Sequence, residues 1–246
     1  MRSIKSKTLT LVMIAVVLLA IALMLRLGVW QLQRAEEKQQ QLDDINLRNQ
    51  GTELTLEEIS GLGKVQGQPV SFYGELMPEK LFYWDNRVVN GAAGYEVIVP
   101  VQTHLGIVLT NWGWVKGLAY RDQLPRVSFP SKVDVFKGVA WQPGKNRFIS
   151  TAALNTTGLA HWPKVIQSVD STLLQGLFDT PLLPFGVVLT KPKNPNLVNN
   201  YHPVVMPPEK HIAYAVQWFG LALACAVVVI VSIRKNGLSL KRGKHE

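Results

Sequence analysis

The sequence predicts an α+β membrane protein in which a transmembrane helix near each end of the chain flanks a mainly antiparallel, partly closed β-sheet domain with one or two helices. Three observations predict it. Two long runs, 8–25 and 212–233, contain no charged side chain; six short Val-, Thr- and aromatic-rich runs lie between them; and most of a net charge of +9 sits in the two tails.

At about 1.5 Å per residue the 22 residues of 212–233 make a helix of roughly 33 Å, and the 18 residues of 8–25 one of roughly 27 Å that residues 27–30 carry into the interface. A bilayer hydrocarbon core is about 30 Å thick. The expected organisation is a tail at 1–7, a first span at 8–30, an outer domain at 31–209, a second span at 210–233 and a tail at 234–246. A cleaved signal peptide competes for the first run, because Arg2, Lys5 and Lys7 form a basic leader and Ala20, Ile21 and Ala22 resemble a cleavage box. That box lies inside the apolar run with no polar stretch before it, which favours a retained anchor.

Residues 1–7 carry three basic groups and residues 234–246 carry five against one acidic group, so the tails hold +7 of the +9. Lys and Arg collect on the cytoplasmic side of a membrane. Both termini are therefore expected there, or in the matrix of a mitochondrion, with the domain on the outer face. The short N-terminus, without an Arg- and Ser-rich transit segment, points to a bacterial inner membrane and a periplasmic domain. Residues 27–233 hold 17 basic and 16 acidic side chains, a balance that leaves no concentrated basic face for phosphates and excludes nucleic acid as a partner. The single Cys225 lies within the second span, so one chain has no disulfide, CxxC pair or thiolate metal site.

Residues 31–48 lack Gly and Pro and are rich in Gln, Glu, Leu and Lys, so the first helix is expected to run on as a stalk. TLEE at 55–58 has the form of a capping box opening a short helix that ends near Gly61 or Gly63. Strands are then expected at 70–76, 81–86, 94–102, 106–115, 132–141 and 185–191. In the third, Tyr95, Val97, Val99 and Val101 share one face opposite Glu96 and Gln102, the pattern of a strand with one wet face. Asn90 and Gly91 mark the turn before it. Trp112 and Trp114, two residues apart on the fourth strand, are expected on one face in one aromatic cluster. A last helix is expected at 168–178.

Catalytic signatures are thin. There is no G-x-S-x-G elbow, H-E-x-x-H pair or P-loop, and GLGKVQG at 61–67 follows a helix rather than a strand, so it reads as loop. His104, His161 and His202 stand apart without a carboxylate at triad or zinc spacing and read as surface or structural histidines. Residues 155–157 match a glycosylation triplet, a weak pattern. The chain is expected to be a binding or chaperoning module, not an enzyme.

One stretch stands out. On a helix advancing 100° per residue, His211, Ala215, Trp218, Ala222 and Cys225 lie near one line with Tyr214 at its edge, and Gly220 with Ala224 and Ala222 with Ala226 form small-xxx-small pairs. Two readings stand side by side. Tyr, Trp and a boundary His suit the interfacial belt of a membrane helix. An imidazole at the head of a small-residue groove also suits an axial ligand over a porphyrin.

LGVWQLQRAEEK (27–38), GAAGYEVIVPV (91–101), VLTNWGWVKG (108–117), HWPKVIQSVD (161–170) and HIAYAVQWFGLALA (211–224) occur in the order and at about the spacing of the surfeit locus protein 1 family, which the chain resembles over nearly its whole length. Members of that family are cytochrome c oxidase assembly factors. Gly28, Trp30, Gln31 and Arg34 match its first motif. Gly94 matches a glycine before a core strand, and Asn111, Gly113 and Trp114 match an Asn-Arg-Gly-Trp/Phe hairpin in which Trp112 here replaces the arginine. His211, Tyr214, Trp218 and Gly220 match the last motif, whose histidine is linked to haem a, although PPEK before it departs from the usual asparagine. The resemblance implies a protein that assists haem a delivery to, or its retention in, the catalytic subunit of a haem-copper oxidase, with haem a synthase as a further partner. A cofactor-free scaffold docking on the oxidase subunit is the alternative. Arg26 and Arg34, at the outer end of the first span, are candidates for the haem propionates, although ordinary interfacial anchoring is the favoured reading of both.

Overall fold

The computed structural model describes residues 2–120, 123–130, 135–142, 162–190 and 194–242. The triplet at 155–157 and His161 lie outside the described residues. The chain divides into two compact units, Met1–Asp43 with Val204–Glu246, and Asp44–Pro203.

The first unit is helical. Helix α1 runs from Arg2 to Asn49, so the expected stalk is a direct continuation of the apolar helix. Nothing in the Gln-, Glu- and Lys-rich stretch interrupts its backbone ladder, and hydrogen bonds such as Gln39 Nε2 to Asp43 Oδ1 (2.9 Å) brace the exposed side. Helix α4 runs from Pro208 to Arg242. Proline suits that position because a first-turn residue has no intrahelical N–H bond to lose. Both helices are long and apolar enough to cross a membrane, and they turn Leu19, Leu23, Val216, Leu223 and Val228 outward. Outward-facing apolar side chains at such density are costly in water and suit a lipid surround.

The second unit is a mixed eight-stranded sheet. After the short helix α2 (Leu56–Ser60) come β1 (Pro69–Tyr73), β2 (Glu75–Leu76), β3 (Phe82–Val89), β4 (Ala92–Thr103), β5 (Gly106–Lys116), β6 (Val135–Trp141), β7 (Lys164–Ile166), helix α3 (Ser171–Leu174) and β8 (Leu182–Leu189). The spatial order is β1-β6-β8-β5-β4-β3-β7, with β2 pairing β4. Five pairings are antiparallel, while β3·β7 and β5·β8 are parallel. The capping box forms as read: Thr55 N donates to Glu58 Oε2 (2.8 Å) and Glu58 N to Thr55 Oγ1 (3.3 Å). Asn90 and Gly91, both at positive φ, make the tight β3–β4 turn.

Four expectations need correction. The sheet is curved, since the indole of Trp141 on β6 stacks on that of Trp84 on β3 at 5.6 Å, but it does not close. Its end strands are β7, three residues long, and β1, whose outer edge is taken by Leu54 through bonds to Pro69 O and from Ser71 N. Strand β4 has no wet face. Tyr95, Val97, Val99 and Val101 sit in a core closed by Leu56 and Ile59 of α2, and Ile98 sits in a second core closed by Leu174 of α3 and by Phe178. The helix expected at 168–178 is shorter: α3 is followed by a 3-10 turn at Gln175–Leu177.

The fourth correction concerns the two tryptophans. Ile98 pairs with Asn111, but Glu96 pairs with Trp114, so β5 carries one extra residue between them. Gly113, at φ 114°, lies in that bulge. Directly opposed residues share a face, and the extra residue turns Trp112 and Trp114 to opposite faces. Both are buried as expected. Trp112 packs in the first core edge-on to Phe129 and donates to Thr110 Oγ1 (2.9 Å). Trp114 lies on the face of Glu96 and donates to Arg87 O (2.9 Å).

Candidate functional site

His211 lies in the first turn of α4 and is 6 % exposed. The buried residues His211, Ala215 and Ala222 recur at helical spacing and trace the stripe read from the sequence. On the part of α1 that belongs to this unit the buried positions among the described residues are Gly28 and Ala35. A Cβ on Gly28 would stand 2.6 Å from the ring of Phe219, so the lack of a side chain there lets the ring seat against α1. The small residues of this stripe thus line a packed helix-to-helix seam.

Within the seam His211 Nδ1 lies 2.7 Å from Gln31 Oε1, while His211 Nε2 is buried with no partner. An amide oxygen only accepts, so Nδ1 carries the proton and donates to it. The lone pair is then on Nε2, the form in which a neutral imidazole ligates a metal. The donor chemistry therefore fits a side chain that could hold a haem iron.

The other expected site residues take different places. Tyr214 is 46 % exposed, Trp218 half-buried, and Trp30 and Arg26 exposed. Arg34 is paired with Glu37 one turn along its own helix. No hydrogen bond or ion pair joins Tyr214, Trp218, Arg26 or Arg34 to His211 among the described residues. A Cβ on Gly220 would meet open space, so the Gly220 side of α4 faces away from α1.

The second unit holds a buried polar group built on the β5 bulge. Asn111 Nδ2 donates to Glu96 Oε2 (2.6 Å), and its Oδ1 accepts from Gly113 N (2.9 Å). Arg87 Nε donates to Glu96 Oε1 (2.9 Å) while its guanidinium lies over the Trp84 ring at 4.1 Å. Glu96 and Asn111 are each only 3 % exposed. A buried carboxylate needs a cation and hydrogen bonds to offset its desolvation, and Arg87 and Asn111 supply both. Trp114 covers Gly94, whose Cβ would lie 2.7 Å from that ring. Gly94, Asn111, Gly113 and Trp114 thus form one constellation that holds the sheet together. With Trp112 turned into the apolar core, the cation beside the motif comes from Arg87 on β3.

A cleft of about 270 Å³ opens over β6 and β8, lined among others by Asn46, Asn49, Val188, Asn199 and Tyr201. Gln66 Nε2 donates to the Tyr201 hydroxyl oxygen, and burial pushes that phenol up to about 12, so it stays neutral. His104 is exposed and paired with Glu57, and His202 is exposed. Among the described residues no three of His, Cys, Asp and Glu converge on a point where they could hold a metal ion.

Glu96 and Arg87 are the residues that sequence reading missed. A lone carboxylate in the middle of GYEVIVPV was the signal, and alternation read it as solvent-facing. In comparisons with known proteins, the family model described as the SURF1 family matches residues 18–223, which is most of the chain. No curated protein matches it.

Proposed function

Because the chain belongs to the SURF1 family, an assembly-factor family linked to cytochrome oxidase assembly, we propose that it assists haem a delivery to, or retention in, the catalytic subunit of a haem-copper oxidase, with His211 as the haem-facing side chain. One observation carries this reading: an imidazole buried in a helix seam with Nδ1 held by Gln31 and Nε2 unpartnered. A buried polar atom with no partner is rare in a folded protein and asks for a reason, and an incoming ligand is one. When bound, haem would supply an iron for the His211 imidazole to ligate. The protein's own residues hold the imidazole in its ligating tautomer and keep water from it.

Arg26 and Arg34 are candidates for the propionates, Arg34 on condition that it exchanges Glu37 for the ligand. The basic tails support an orientation with both termini cytoplasmic and the β domain outside, in a bacterial inner membrane. A periplasm-active reporter working at Glu246 overturns that orientation. Haem a synthase and the oxidase catalytic subunit are the partners this role requires.

A second reading has an observation of its own. Gly28 against Phe219, with Ala35, Ala215 and Ala222 buried, closes the stripe that a macrocycle would use. That packing favours a cofactor-free scaffold docking on the oxidase subunit. Spectra separate the two. Protein purified from cells that make haem a shows a Soret band on the first reading, and His211→Ala removes or shifts it and lowers oxidase haem content while the protein accumulates normally. Unchanged haem occupancy in His211→Ala leaves the scaffold reading standing.

A further inference from the structure

The pairing of His211 with α1 assigns a task to a residue that touches no ligand. We propose that Gln31 is a positioning residue that keeps His211 protonated at Nδ1 and presents the Nε2 lone pair, an inference that rests on the haem reading above.

The geometry leaves little choice of proton. Oε1 of Gln31, 2.7 Å from Nδ1, is an acceptor, and with the amide in this orientation the alternative tautomer would set an oxygen against a ring nitrogen that has no hydrogen. It would also place an N–H on Nε2, which is buried and has no acceptor. Both ends of the ring therefore select the same form. Gln31 sits on α1 and His211 on α4, so the selection operates only while the two helices are packed, as they are at Gly28 and Phe219. An uncharged acceptor is also the economical choice beside an apolar seam, because a carboxylate there would carry a desolvation cost. Outer partners that orient a ligating histidine in this way are worth roughly 10- to 100-fold in ligand affinity.

The test uses the full chain in detergent micelles, with the imidazole tautomer read by ¹⁵N NMR of labelled histidine and affinity by Soret titration with haem a. In the ligand-free protein His211 should be the Nδ1–H tautomer. Gln31→Leu should shift it toward Nε2–H or a mixture and weaken haem a binding by about tenfold or more, whereas Gln31→Glu, which keeps an acceptor and has no amide donor, should preserve the tautomer. His211→Ala is the reference for loss of the ligand. If Gln31→Leu changes neither tautomer nor affinity while His211→Ala abolishes binding, the positioning role is overturned and the haem reading stands. If the tautomer shifts in Gln31→Leu but His211→Ala binds haem a as well as the unaltered protein, the positioning role stands and the haem reading falls.

Discussion

Replacing Gly94 with alanine should be among the most damaging single-methyl additions to this protein. The added Cβ would stand 2.2 Å from the carbonyl oxygen of Val115 and 2.7 Å from the Trp114 ring. Trp114 has limited room to move, because its Nε1 is bonded to Arg87 O, and the carbonyl belongs to the strand paired with Gly94. Overpacking a core costs typically about 1–3 kcal/mol, and a clash with backbone belongs at the upper end, about 3 kcal/mol. For a unit of this size each kcal/mol shifts Tm by roughly 2–4 °C, so the expected loss is roughly 6–12 °C. Thermal unfolding of the full chain in micelles, followed by near-UV ellipticity, reports the tryptophan packing directly. Two controls bracket the effect. Gly63→Ala, with open space around its Cβ, should be within about 0.5 kcal/mol of the unaltered protein. Gly91→Ala, also in open space but at φ 76°, should lose about 1–2 kcal/mol through strain alone. A Gly94→Ala protein that melts together with Gly63→Ala refutes the close-approach argument.

Two further predictions concern the polar groups. Asn111→Ala removes a hydrogen bond to a buried carboxylate and the acceptor for Gly113 N, so about 2 kcal/mol should be lost in denaturant unfolding. The loss should shrink by at least about 0.5 kcal/mol in a Glu96→Gln background, and strict additivity would show that the pair is not coupled. Glu57, held below the usual carboxylate range by its backbone hydrogen bond and then by its bond to His104, contributes stability that is present above its unfolded value near 4.5 and lost as pH falls through its lower folded value. The urea midpoint of Glu57→Gln should therefore trail the unaltered protein above pH about 4.5, and the margin should close as pH falls below it; a margin that persists or grows below pH about 4.5 contradicts the assignment.

Much of the architecture was legible because it depends on short-range chemistry. Two uncharged runs make spanning-length helices whatever surrounds them, a Gly- and Pro-free stretch continues the first of them to Asn49, and the capping box at Thr55 and the turn at Asn90 and Gly91 are local hydrogen-bond and φ requirements. Six strand positions followed from composition, while β7 escaped because three residues give alternation nothing to repeat. The helical stripe headed by His211 was also legible, since its positions follow from 100° per residue alone.

What the sequence determined by itself is thus the set of elements and the family motifs; which surfaces those elements bury was decided only by tertiary structure. Period-2 alternation marks two faces of β4 as different but cannot say that α3 and Phe178 dry the second one, because those residues come from 70 or more positions later in the chain. One extra residue at Gly113 reverses the face of Trp114, and a bulge is a property of the pairing with β4 rather than of either strand. Glu96 reads as wet until Arg87 and Asn111, brought in by the two flanking strands, make its burial affordable. In the helical unit, likewise, the sequence placed His211 on a stripe, and only the packing of α4 on α1 showed that Gln31 meets Nδ1 and leaves Nε2 without a partner, because a hydrogen bond across 180 residues of chain has no local signature.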